Sequence, residues 1–346
     1  MSKEIELLKA LQRFEPRIMI DALGTNANIL NNVIAQNVKI VYYLVSVTSS
    51  MTFSGGPKIV FDVKYQNTEV SQNDIYVVSS GAEVQSILCQ YIGNYKTRLV
   101  LFAKPGINID SEYQKFSIVS APFYSNYVGA RIIRGQSSAV SMPYYDFYFD
   151  YRIGQVKLAM MENETNAEIA RIAKQLFLPG MSDETKAFLA HNYLAYTIDY
   201  TLKEDASSLE TSYMQSAYGA LIKKKCVCQG YAEAFKRLMD YAGIPCDIVC
   251  GQTKGSSTYH AWNIVKFNDE RDNYHIDVTW DSGGERVSYT YFGLKDSDFL
   301  HERTWNKEFN VKCNSSTNLL LEARRGIMRF KPQLIANGVS THILGY

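Results

Sequence analysis

No apolar run in this chain approaches the 18 residues that a helical membrane span requires, and no basic leader followed by an apolar stretch opens it. The first residues, MSKEIELLKALQRF, carry apolar positions at helical spacing instead. The 346-residue chain as written is therefore expected to be soluble and cytoplasmic, or secreted if a leader has been removed. Charge of one sign is missing too: 36 basic against 35 acidic residues leave a net +1, and the Lys/Arg residues are dispersed except for one short run at 223–225. That balance supplies no field for nucleic acid or for an anionic membrane surface, and no nucleic-acid module is present. Disorder is not expected to dominate a chain that is 46% hydrophobic and 21% charged.

Metal-ligand spacing is also scarce. The six cysteines stand at 89, 226, 228, 246, 250 and 313, and their C-x-C and C-x3-C spacings are not the usual C-x2-C of zinc sites. Cys246 and Cys250 lie in one extended run, where four residues span about 13 Å against a disulfide limit near 7 Å. No EF-hand-like acidic loop appears. The expectation is reduced thiols, no metal and no cofactor, which leaves a cysteine free for nucleophilic work.

What is present is concentrated between Cys226 and Asp281. In KKKCVCQGYAEAFKRLMDYAGIPC, Tyr231, Phe235, Leu238 and Ala242 recur at steps of four, three and four, which predicts a helix starting near Cys228. Gly243 and Pro245 end it. A cysteine at that head, behind Lys223, Lys224 and Lys225, meets unpaired N–H groups and positive charge, both of which favour thiolate. Two β-compatible runs follow, HAWNIVKF at 260–267 and YHIDVTW at 274–280, separated by NDERDN, and read as an antiparallel hairpin. With the tip between Asn268 and Asp269, His260 and Asp277 face each other; with it between Asp269 and Glu270, they are same-face diagonal neighbours roughly 7 Å apart. One residue further along, Asp277 turns to the other face. Cys228 as nucleophile, His260 as base and Asp277 as the carboxylate that fixes the imidazole follow the triad logic.

These three segments resemble the transglutaminase-like superfamily of papain-like fold, in particular its bacterial branch. There the nucleophile occurs as V-C-Q-G-Y-A, the histidine as H-A-W-N and the acid as H-x-D-V-T-W-D, here Val227 to Ala232, His260 to Asn263 and His275 to Asp281. The resemblance extends upstream through FLPGMSDETKAFLAHNYLAYTIDY and SAYGAL and downstream through YFGLKDSDFLHERTW, so it covers roughly residues 155–310. It implies an α+β core in which a helix-borne cysteine packs on an antiparallel sheet, and Cys228, His260 and Asp277 as catalytic residues. It also implies cysteine-dependent acyl transfer on amide bonds of protein or peptide substrates through a thioester. Hydrolysis is favoured, since nothing resembles the additional β-sandwich domains or calcium sites of animal crosslinking enzymes. A crosslinking transglutaminase is the alternative, and a non-catalytic binding or scaffold protein on the same fold is the rival from another class.

Each assignment has a competitor. Cys226 lies two residues before the nucleophile, His275 is a second histidine on the acid strand, and Asp281 is a second carboxylate, read as capping a turn before Gly283 and Gly284. The Cys228 N–H is the expected first oxyanion donor, with the Gln215 and Tyr218 side chains as candidates for the second. Trp262 and Trp280 are expected to wall the cleft.

Residues 1–152 read as a tandem repeat of small α/β units, 1–75 and 76–152, at an offset of roughly 80 residues, with Arg17-Ile-Met-Ile beside Arg98-Leu-Val-Leu. EIELLKALQRF, PRIMIDAL, ANILNNVIAQN, VKIVYYLVSV and PKIVFDVKY read as helix, strand, helix, strand, strand, and AEVQSILCQYI to YYDFYFDYR repeats the order. These units are candidates for binding a partner. Residues 153–312 are the expected catalytic domain and 313–346 a tail packed on the body. Thr165 and Glu168 read as a capping box for one helix, and Ser182 opens a second whose face is Leu189, Tyr193, Tyr196 and Tyr200. KEDASSLETSYMQ at 203–215 reads as a polar loop near the site.

Overall fold

The computed structural model describes residues 2–26, 28–66, 68–121, 124–137, 140–255, 259–267, 272–282, 287–307 and 310–345. It divides into two units, Met1–Tyr113 with Gly129–Asp150 and Gln114–Val128 with Tyr151–Tyr346. Among the described residues no helix is long and apolar enough to cross a membrane.

In the first unit, α1 (Lys3–Gln12) is capped by the Ser2 hydroxyl and buries Leu7, Ala10 and Leu11. There follow β1 (Arg17–Asp21), α2 (Ile29–Gln36), α3 (Val38–Val41), β2 (Leu44–Thr52) and β3 (Lys58–Tyr65), the strands forming an antiparallel sheet in the order β1-β3-β2. VKIVYYLVSV, expected as one strand, is split. Ile40, Val41, Tyr42 and Tyr43 are all buried, which a strand solvated on one face cannot achieve, so the chain coils through α3 and extends only from Leu44. Then come β4 (Ile75–Val78), α4 (Gly81–Gly93), β5 (Arg98–Ala103), α5 (Ile109–Val119), β6 (Tyr127–Ser137) and β7 (Met142–Tyr151). Strand β4 lies parallel to β5, β5 antiparallel to β7, and β7 beside β6. The two halves differ, since α3 interrupts the first and β4 adds a fourth strand to the second, but apart from these each runs helix, strand, helix, strand, strand, with its first strand beside its third and the third beside its second. Leu7, Ile20 and Phe61 share one apolar cluster with Ile75, Val100 and Phe102.

The longer segment of the second unit, from Tyr151, begins with α6 (Gln155–Leu176). Thr165 is not a cap. The helix begins ten residues earlier, after Gly154, so the Thr165 hydroxyl donates to the Met161 carbonyl from mid-helix, while Glu168 pairs with Arg171. Helix α7 (Asp183–Thr197) does start on Ser182, but Tyr200 has left it for β8 (Asp199–Tyr200) and is 53% exposed. The stretch expected as loop contains α8 (Ser208–Met214), because Ser207 and Glu210 form a capping box. After β9 (Lys225–Cys226) come α9 (Cys228–Tyr241), β10 (Cys246–Thr253), β11 (Tyr259–Phe267), β12 (Asp272–Ile276), α10 (Val278–Asp281), β13 (Phe292–Leu294), α11 (Asp296–Phe299), β14 (Arg303–Trp305) and α12 (Leu319–Ala336). Five strands make one antiparallel sheet in the order β13-β12-β11-β10-β14, and α9 lies on β10 and β11.

The predicted apolar stripe of α9 is its buried face: Tyr231, Phe235 and Leu238 sit in a core shared with Phe188 and Leu194 of α7 and Leu319, Ala323, Ile327 and Leu334 of α12. Burial of each large apolar side chain contributes about 1.5–3 kcal/mol, enough to seat the helix head on the sheet. Gly230 lets that head close: a Cβ there would lie 2.5 Å from the Cys226 Cβ and 2.9 Å from the Met214 carbonyl oxygen. Gly243, at φ +73°, ends the helix in the left-handed region.

Candidate active site

Cys228 is the first residue of α9, whose N-cap, Val227, offers no side-chain acceptor. Its side chain packs against Ala232 of its own helix, Ile248 of β10 and Ala261 of β11. The register of β11 and β12 runs from Asn263 opposite Ile276 to Phe267 opposite Asp272. The tip at 268–271 lies outside the described residues; continued towards His260, the register of the described pairs sets Asp277 opposite position 262, so His260 and Asp277 are diagonal neighbours. The strand expected to reach Trp280 stops at Ile276. Asp277 caps α10 instead, its Oδ1 accepting the Trp280 N–H at 3.2 Å.

His260, 7% exposed, has its Nε2 2.7 Å from Asp277 Oδ2, and its ring also hydrogen-bonds the Cys228 side chain. With Nε2 committed to the carboxylate, Nδ1 is the nitrogen left for sulfur. Burial alone would lower the imidazole's affinity for a proton, but the hydrogen bonds and charges of Asp277 and Cys228 outweigh it and raise the pKa to about 9. Both neighbours thus favour the protonated ring. Behind Asp277 stands a residue the sequence did not announce. The Arg303 guanidinium, fully buried, places Nη2 3.4 Å from Asp277 Oδ2 and Cζ 3.9 Å from the centre of the Trp280 ring. A single arginine in RTW carries no signal of burial; only the fold of β14 against β10 brings it to the acid.

Residues 170–278, which include Cys228, His260 and Asp277, match the family model of the Transglutaminase-like superfamily. That segment is a transglutaminase-like domain. No curated protein matches the chain. Among solved structures, one described as a TGase is 13% identical over 69% of this chain and 65% of its own, with a TM-score of 0.30. A protein from Cytophaga hutchinsonii, provisionally described as a cysteine protease, is 10% identical over 44% of this chain and 62% of its own, with a TM-score of 0.28. The chain thus spans less than two thirds of either.

Within the transglutaminase-like domain, Trp280 is 43% exposed and stands edge-on to His260, ring centres 6.0 Å apart. Trp262, expected beside it in the cleft, is 1% exposed and stacks on His260 from the core side. Its indole N–H donates to His275 Nδ1 at 3.0 Å, and His275 Nε2 lies 2.9 Å from Asp296 Oδ1. His275 is therefore separated from Cys228 by Trp262, and burial lowers its pKa. His275, Asp296 and Cys313 lie close enough together to suggest a metal. The Trp262 N–H argues otherwise: Nδ1 must be the lone-pair nitrogen, so Nε2 carries the proton and has no lone pair for an ion.

The remaining expectations fall in different places. Tyr218 donates to Glu164 Oε2 at 3.0 Å, with burial first and Glu164 second raising its pKa to about 12, and Gln215 Oε1 accepts from Arg152 at 3.0 Å. Lys223 lies over the Tyr213 and Tyr218 rings, and Lys224 reaches the Tyr193 hydroxyl, so these cations are directed away from Cys228. Cys226 is fully buried, and burial pushes its thiol well up. Asp281 does not serve an exposed turn: it is buried, accepts the Tyr291 N–H and pairs with His191 Nε2 at 3.0 Å, while 283–284 lie outside the described residues. All six cysteines are free.

Proposed function

We propose that the protein is a cysteine-dependent acyl-transfer enzyme acting on amide bonds of peptides or proteins. The observation that carries this reading is the His260–Asp277 couple directed at Cys228 on an uncapped helix head. The Cys228 thiolate attacks the amide carbonyl, and the oxyanion meets the N–H groups at the start of α9. The His260 imidazolium gives its proton to the leaving amine, so the C–N bond breaks and a thioester remains. Neutral His260 then takes a proton from water as it attacks the thioester, releasing the acid and the thiolate. Water is the preferred acceptor, because it reaches the half-open side of the cleft at Trp280 without a binding site of its own, whereas an amine must be positioned. In the same proposal 153–312 is the catalytic domain, 313–346 its packed tail, and 1–75 and 76–152 are copies of one unit that bind a partner. The recurring element and strand order supports the duplication.

The test is iodoacetamide labelling with peptide mapping on the parent and on His260→Ala. Cys228 is expected to label about 100-fold faster than Cys89 near pH 6 and to lose that advantage without His260. Equal rates at the two cysteines would favour a binding protein that only retains the fold. Product analysis on one acyl donor, with and without added amine, then separates hydrolysis from crosslinking.

A further inference from the structure

Asp277 is shared. Its Oδ1 takes the Trp280 N–H, and its Oδ2 faces both His260 Nε2 at 2.7 Å and Arg303 Nη2 at 3.4 Å. Arg303 itself is poorly satisfied. Its other end reaches the Glu302 carbonyl at 3.3 Å and the Glu302 carboxylate at 3.7 Å, and its buried Nε has no hydrogen-bond partner among the described residues. A buried cation held by so few contacts stabilises a fold less well than an apolar side chain of the same volume. Its placement has a chemical consequence, however, because a carboxylate that serves two cations binds each less strongly than it would bind one.

We propose that Arg303 is a positioning residue of this site. It draws charge from Asp277 so that His260 releases its proton within the working pH range, and it fixes Trp280 as the cleft wall through the stacked guanidinium. This rests on the reading of Cys228 and His260 as nucleophile and base. The charged or titratable groups concerned are few: Cys228 from α9 and Asp277 face His260, while Arg303 from β14, His275 from β12 and Tyr291 act on Asp277.

The experiment is an NMR titration of the His260 imidazole in the full chain, assigned by comparison with His260→Ala. In Arg303→Met the midpoint is expected to rise by about half a unit or more, and in Arg303→Lys by less in the same direction, since a lysine keeps charge but loses the planar fork. Trp280→Leu is expected to leave the midpoint in place and to raise the KM for an acyl donor. If Arg303→Met does not fold, Arg303→Lys decides. A midpoint unchanged or lowered in the folded arginine variants overturns the proposal. The titration is readable on any folded protein, so its failure is distinct from failure of the nucleophile reading, which shows as Cys228 labelling indifferent to His260→Ala.

Discussion

Two histidine–carboxylate couples stand back to back in this molecule, divided by the Trp262 indole. On the side of Cys228 His260 meets Asp277 at 2.7 Å; on the other side His275 meets Asp296 at 2.9 Å. Both histidines are buried and both face an acid through Nε2, yet one is raised to about 9 and the other is lowered. The difference lies at Nδ1. His260 has that nitrogen left for the neighbouring Cys228 side chain, which favours a proton, whereas His275 finds the Trp262 N–H, which forbids one. His275 also stacks on Phe299 at 4.6 Å, which buries the ring without supplying a hydrogen-bond acceptor. A carboxylate partner alone therefore does not raise a histidine's affinity for a proton; the group on the opposite nitrogen weighs as heavily.

The strongest way to break the comparison is to neutralise each acid in turn. Asp277→Asn is expected to slow acylation of Cys228 by an activated aryl ester roughly 100- to 10,000-fold at pH 7, because the amide leaves the imidazole with the wrong tautomer. Asp296→Asn should stay within a few-fold. Equal losses in the two variants would mean that the couples work as one unit.

Stability against pH separates them next. His260 binds its proton more tightly folded than unfolded, so its contribution is full below its ordinary value of 6.5 and is lost as pH rises through about 9. His275 binds it less tightly, so stability falls as pH drops below 6.5, where the unfolded chain takes up the proton first. Unfolding midpoints in denaturant from pH 5 to 10 should therefore decline at both ends. His260→Gln should flatten the alkaline decline only, and His275→Gln the acidic one only.

The smallest expected effect sharpens the boundary of the site. Tyr218→Phe removes one hydrogen bond to Glu164, which costs about 1 kcal/mol of stability, and should leave acylation of Cys228 within two- or three-fold. A larger loss of rate would restore Tyr218 as an oxyanion donor.

What the sequence disclosed follows from how local each determinant is. The helix at Cys228 was legible because its stripe, its glycine stop and its uncapped head all lie within one segment. The closeness of His260 and Asp277 was legible as a choice among hairpin registers, and the pairing of Asn263 with Ile276 made the choice. Trp262 and Trp280 looked alike in sequence, but strand alternation sends the first into the core, and the cap at Asp277 swings the second outward. Arg303, His191 opposite Asp281, and the helical start of VKIVYYLVSV were not legible, since each depends on burial imposed by elements distant in the chain. The mid-helix position of Thr165 was missed because a capping pattern carries no marker that the helix is already under way.

The core beneath α9 is completed by α12, whose Leu319, Ala323, Ile327 and Leu334 pack with α7 and α9. During synthesis Cys228, His260, Asp277 and Arg303 leave the ribosome in that order, and α12 emerges only after all of them. Until it docks, α7 and α9 lack one wall of their shared core. The core beneath Cys228 is therefore complete only after translation has passed residue 334, and a chain cut short before α12 would keep Cys228, His260 and Asp277 but lack that wall.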